Sequence, residues 1–546
     1  MLSKTMLATH TTLHNVSWVN QRHYLHANNI PSRIVMLDRL KAIAICLVIL
    51  LHSVAFLQNA VPQFSSVWYF MVTVNAACRM AVPLFVMISG AVLMVQWHPM
   101  LHPYQGEQVV DCNNENPLRL ASLGRLISMY QVVFSRLIDL LVPLLLATVF
   151  YSAWHAFKVD MQYLLSLQTT LSADASALDM WQMLLQRVSV SLPAAVLQAL
   201  RHLFSAGGSY YHLWYLWLFI GLLLVSPWLA LAAFRAPHPV VEPATLASPL
   251  QHHARSSTTG FRPTAFSGRL VVLSYMFSLL YLLFMLSYPV LEIIWLDPTE
   301  HQHLAATLVV QMQSYSWLTS IPWWFWWPAF LGFFVHGMRS GYTFASRSAL
   351  TSNALSDQDP PPLQSSGLTP AVDKPLSKPR TNRLARRYNC ILPFWIFIGT
   401  LCISVGYMFE VWWQTQQGWF VGYNFQYSAL GVTIVSVLTW RYFTQKVPFP
   451  PRPLPESRGQ GLAAWLARHS LGIYLCHVLF LEIWQQLWVW FGKPGIHHLF
   501  FMGLVVICHA VLTLCCSTAF IWLLTRLVHV SRTFAKKHAL STPNIN

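Results

Sequence analysis

Residues 37–56 read LDRLKAIAICLVILLHSVAF. Beyond Asp38, Arg39 and Lys41 this run carries no acidic or basic side chain except His52. About 20 residues of helix rise about 30 Å, the thickness of a bilayer's hydrocarbon core. The stretch predicts a transmembrane helix, and the rest of the chain says it is one of many. Of the 546 residues, 55% are hydrophobic and only 10% charged, with 24 Trp, 32 Phe and 20 Tyr. A soluble domain is nearer a quarter charged. This composition excludes an ordinary cytosolic enzyme, a secreted disulfide scaffold and a disordered regulator. Barrel strands would read as short alternating segments, which the sequence lacks. The fold class expected is an all-α integral membrane protein.

Ten apolar runs are long enough to count as spans. They fall at about 38–57, 68–95, 134–155, 212–234, 270–291, 322–338, 390–411, 425–443, 468–489 and 500–526. The sixth is the shortest, and its aromatic entry, IPWWFWWPAFLGFF (321–334), resembles an interfacial belt running into a helix. With the N-terminus placed in the cytoplasm, 29 Lys and Arg fall on the inner side and 4 on the outer, while Arg79 lies inside a span. That asymmetry is what the positive-inside rule predicts, and it places both termini in the cytoplasm. It also gives the net charge of +16 a meaning other than nucleic-acid binding, which is not expected. The resulting layout is a cytoplasmic tail over 1–36, a membrane domain over 37–528 and a second cytoplasmic tail over 529–546. Loops 235–268 and 341–388, rich in Pro, Ser and His or in basic residues, are expected to be disordered. The outer loop 156–211 contains a segment whose apolar positions suit an interfacial helix. The nine cysteines show no metal-ligand spacing, and no metal is expected.

Ionisable residues inside spans are costly and are functional candidates by default. In the first span, Lys41 and His52 are eleven residues apart, close to three full turns, so they share a face about 16 Å apart along the axis. Asp38 lies on the same face. A cation at the cytoplasmic mouth and an imidazole deep in the membrane suit a long anionic ligand held from inside. The same pair also fits a snorkelling Lys and a His bonded to a backbone carbonyl. Arg79, in the second span, must meet an acid, a cluster of carbonyls or an anionic ligand. Pro83 frees the carbonyl one turn before it. At the entry to the fourth span, GGSYYHLWYLWLF (207–219) sets His212 among Tyr210, Trp214 and other aromatics, an arrangement that serves as a girdle or as a stacking platform for sugars. In SLGIYLCHVLFLEIW (470–484), Ser470, Tyr474 and His477 share one face, with Glu482 further out on another.

Taken in order, these segments resemble the acyltransferase-3 family of membrane acyltransferases. KAIAICLVILLH (41–52) matches its basic residue, ten residues, then His. RMAVPLFVMISGAVL (79–93), SRLIDLLVPLLL (135–146), YHLWYLWLFIGLLLVSP (211–227) and SLGIYLCHVLF (470–480) resemble its further motifs. The resemblance runs from about residue 36 to 528. Loop 341–388 looks longer than the family's usual one.

The resemblance implies O-acyl transfer, usually of acetyl from acetyl-CoA, to a hydroxyl of an envelope glycan or lipid-linked sugar, in a bacterial inner membrane. His52 would be the general base or an acyl relay, and Arg79 would hold the oxyanion or the CoA phosphates. Lys41 with Asp38 and Arg136 would meet the cofactor. His212, Trp214, Tyr210, Tyr474 and His477 would face the acceptor. Besides the acceptor, membrane lipids are the expected partners, and no oligomeric state follows from the sequence. A proton-coupled transporter or flippase of an envelope precursor would also place His, Arg and Glu in spans.

Overall fold

The structure, a computed structural model, describes residues 35–101, 116–168, 177–201, 210, 212–233, 266–295, 323–356, 383–417, 424–427, 429–445, 461–492 and 498–541. Among these residues 92% are helical and none lies in a strand. The helices are α1 (Val35–Gln58), α2 (Ser66–Cys78), α3 (Ala81–Leu101), α4 (Asn116–Gln168), α5 (Ala177–Arg201), α6 (Trp214–Ala233), α7 (Gly268–Trp295), α8 (Leu331–Ser356), α9 (Arg383–Gln417), α10 (Leu430–Gln445), α11 (Leu462–Trp490) and α12 (Leu499–Ser541). A 3₁₀ segment, Trp323–Phe330, leads into α8.

Among the described residues, seven helical stretches are long and apolar enough to cross a membrane: α1, α2 with α3, the centre of α4, α6, residues 391–416 of α9, α11 and residues 499–531 of α12. The other three expected spans also fall on helices. Those are α7, the 3₁₀–α8 unit and the 16-residue α10.

Several helices run past the expected span ends. α8 continues to Ser356 and α9 begins at Arg383, so both ends of the segment assigned to loop 341–388 are helical. Residues 341–356 contain no proline, and the first comes at Pro360, inside DQDPPP. Residues 357–382 and 234–265, the remainder of the two loops expected to be disordered, lie outside the described residues, as does 1–34. The tail expected over 529–546 is helical through Ser541, since no Gly or Pro interrupts it before Pro543.

Two features position the site. The first is the break at Arg79, between α2 and α3. Pro83 has no N–H to give the Arg79 carbonyl, so the helix stops there and restarts with Leu84 donating to Met80. The second is the close approach of α3 and α8. An added Cβ would sit 2.0 Å from the Met87 carbonyl oxygen at Gly337, 2.2 Å from that of Ala91 at Gly341 and 2.3 Å from that of Phe334 at Gly90. The backbones touch because glycine leaves nothing between them. The main core is built around this pair with α1, α6 and α11. A second cluster joins the end of α1 to α2, α9, α10 and α12.

α4, which contributes residues from Met129 to Tyr151 to the main core, is 53 residues long, about 80 Å, and so exceeds any bilayer. The helix expected in the outer loop is α5, which folds back along α4. Arg187 pairs with the buried Asp160 at 3.3 Å and Ser191 donates to the same carboxylate at 2.5 Å.

Candidate functional site

Three histidines from different parts of the chain converge. His52 is on α1, His212 in the turn before α6 and His477 on α11. Their rings lie 5.3 Å (His52–His477) and 5.6 Å (His212–His477) apart between centroids. His212 and His477 are fully buried. Tyr474, one turn before His477, donates its hydroxyl to the His212 carbonyl and so fixes the turn against α11. Tyr151 of α4 packs edge-on against His212 at 4.7 Å and donates to the Leu475 carbonyl at 2.6 Å. His477 Nδ1 lies 2.6 Å from the Tyr474 carbonyl oxygen, while its Nε2 has no hydrogen-bond partner among the described residues. A carbonyl only accepts, so the neutral ring carries its proton on Nδ1 and presents the Nε2 lone pair to the cluster.

Arg79 lies within electrostatic range of His52. Of the three partners its position demanded, the described residues supply carbonyls and ring faces. Nε donates to Asn75 Oδ1 at 3.0 Å and Nη1 to the Phe425 carbonyl at 3.0 Å. The guanidinium stands 4.6 Å above the Phe425 ring and 5.2 Å above Tyr427. Asn75 in turn donates to Gln58 at the end of α1, which fixes its amide orientation. Neither ion pair found among the described residues involves Arg79.

A cavity of about 250 Å³ runs beside the cluster. Lys41 lines it from α1, and Arg136 with Asp139 from α4. Ser470 and Tyr474 line it from α11, and Phe85, Ser89 and Tyr215 contribute to its wall. Along the helices, Lys41 lies about 16 Å from His52, whereas Tyr474 is one turn from His477. The cavity therefore leads from two cations, with one carboxylate beside them, toward the imidazoles. Tyr474 forms its wall there. Asp38 acts on Lys41 electrostatically but does not line the cavity.

Of the residues expected at the acceptor side, Tyr210, His212, Tyr474 and His477 come together. Trp214 turns the other way and stacks on Tyr427 at 5.4 Å, on the Arg79 side. The sequence reading left out a polar network around Glu482. Its carboxylate accepts from Trp154 Nε1 at 2.7 Å, from Lys158 at 3.2 Å and from the Tyr210 hydroxyl. It joins α4, α11 and the turn before α6 directly above the histidines. Trp154 and Lys158 sit one turn apart on α4, and that spacing was the available signal. Among the described residues, no group of three His, Cys, Asp or Glu is placed to hold a metal ion.

The helical body thus holds a cavity lined by Lys41, Arg136 and Asp139 at one part and by Tyr474 at another, with a cluster of buried imidazoles packed on Tyr474 and a polar network around Glu482 nearby. The chain matches the acyltransferase-3 family, described as an acyltransferase domain, over residues 34–526, and it belongs to that family. No curated protein and no solved structure matches it.

Proposed function

We infer that the protein is a membrane O-acyltransferase of a bacterial inner membrane. It has ten spans and both termini in the cytoplasm. It moves an acyl group, acetyl from cytoplasmic acetyl-CoA, to a hydroxyl of an envelope glycan or lipid-linked sugar. The observation that carries this reading is the cavity joining Lys41 and Arg136 to Tyr474, which packs on His212 and His477. Two cations at the inner mouth suit the phosphates of a CoA thioester, and the apolar wall between suits its pantetheine arm. With a thioester as donor, the chemistry left to the protein is handling the acceptor's proton and the charge on the carbonyl oxygen.

His52 takes the hydroxyl proton as the oxygen attacks the thioester carbonyl. Arg79 faces the negative charge that develops there, held in place by Asn75 and Phe425 so that it need not reorganise. The acceptor enters from the side of Tyr210 and Glu482, where aromatic rings and a carboxylate suit a sugar's faces and hydroxyls.

The test uses membranes from cells producing wild type or His52→Ala at equal levels, supplied with acetyl-labelled acetyl-CoA. Label should enter envelope glycan with wild type and fall by at least about 10²-fold with the variant. Equal labelling would remove His52 from the chemistry. Uptake of a precursor without consumption of acetyl-CoA would favour the transporter.

A further inference from the structure

We propose that His477 is a second imidazole in the proton path, receiving from His52 the charge that the acceptor hydroxyl releases. This rests on the acyl-transfer reading above and adds a residue role to it. The rings of His52 and His477 lie 5.3 Å apart between centroids and are tilted by 42°, so a modest turn of either ring brings a nitrogen of one within hydrogen-bond reach, about 3 Å, of a nitrogen of the other. The tautomer of His477 points the same way. Nδ1–H is committed to the Tyr474 carbonyl, and Nε2, fully buried, has a lone pair with no donor among the described residues. A buried acceptor without a donor is rare because it forfeits a hydrogen bond that water would have supplied. Here the unfilled position borders the ring that needs somewhere to send a proton. The other groups facing His477 are the His212 ring and Tyr474, whose hydroxyl is already given to the His212 carbonyl.

The step balances without a further reagent. The acceptor oxygen forms a bond to the thioester carbon while its proton passes to one nitrogen of His52. The proton on the opposite nitrogen of that ring passes to His477 Nε2. When the C–S bond breaks, its electron pair stays on sulfur. The proton then returns from His477 through His52 to the thiolate, leaving free CoA thiol and both rings neutral. The second imidazole carries the positive charge one ring away from the attacking oxygen during bond formation, and it makes His52 a base rather than an acyl carrier.

The experiment is acetyl labelling of envelope glycan in membranes holding the full-length protein. His477→Gln keeps a polar amide of similar length in the site but offers no base. It should lower labelling at least about 10²-fold with an unchanged thermal unfolding midpoint. His477→Ala should recover part of its activity with added imidazole, more with the stronger base 4-methylimidazole, and none with pyrazole, which has the same size but is a far weaker base. Wild-type labelling by His477→Gln overturns the relay, as does recovery by pyrazole equal to that by imidazole, because His477 would then only fill space. Loss in His477→Gln with full labelling by His52→Ala also overturns it, leaving His477 to act alone. Should His477→Ala fail to fold, the Gln variant decides. Absence of any label with wild type defeats the acyl-transfer reading itself, and the relay with it.

Discussion

Arg79 gives its guanidinium to uncharged acceptors, the Asn75 amide and the Phe425 carbonyl, and lies over two rings. A lysine would keep the charge but could not reach both acceptors from one flexible ammonium. Arg79→Lys should therefore cost about 1–3 kcal/mol and lower acyl transfer as well. Thermal unfolding in detergent alongside the labelling assay checks this, and an unshifted midpoint would mean the two acceptors contribute nothing. Tyr474→Phe strips the buried His212 carbonyl of its donor and loosens the turn carrying that ring. Labelling should drop while the protein still folds. At this scale the sequence showed which residues were anomalous but not what they met. That Arg79 needed a partner was legible. That the partner is a loop carbonyl 346 residues away was not, because a main-chain oxygen leaves no mark in residue type. The shared face of Tyr474 and His477 was legible from spacing, whereas the ring opposite them depends on how α1 and α11 pack. Glu482 read as a charge far out on another face, and its three donors appear only once α4 and α11 lie side by side.

Among the elements, the α3–α8 contact is the least tolerant. The methyl of Gly337→Ala would fall 2.0 Å from a backbone oxygen, which no rotamer change can relieve. The helices must separate, at a cost of 1–3 kcal/mol or more by the usual scale of about that size for overpacking. Gly124→Ala, in α4 with nothing within 4 Å of the added carbon, should instead be neutral or stabilise slightly. A detergent melt of the two variants separates them, and equal midpoints would show that α8 yields at no cost. On α3 the small pair Ser89–Gly90 is of the kind that lets helices approach closely. Its counterpart on α8, the spacing Gly337 to Gly341, is the familiar small-residue signal of membrane helix pairs. It lay beyond the aromatic entry that dominated the reading of that span. The positions of the helices themselves were legible throughout, because each rests on a run of local apolar residues. Their ends were not: α8 and α12 run on through polar sequence that contains no breaker.

For the whole molecule, the proposed ten-span layout makes an assertion about sides. Alkaline phosphatase, active only outside the cytoplasm, should be active when joined after Ser172 and inactive when joined after Ser365. The reverse pattern would invert the molecule and put Lys41 and Arg136 at the wrong face for a cytoplasmic donor. The architecture also sets the order in which the site can be born. His52 and Arg79 leave the ribosome first. Phe425, Tyr474 and His477 follow after most of the chain. Synthesis proceeds at about 5–20 residues per second, so roughly 20–70 s pass between Arg79 and Phe425. Throughout that interval the nascent chain carries a guanidinium with one of its two acceptors, Asn75, in place and the other, the Phe425 carbonyl, not yet made. Any fragment ending before that loop arrives in the bilayer with its guanidinium held by Asn75 but without the Phe425 carbonyl and the two rings that complete its surroundings.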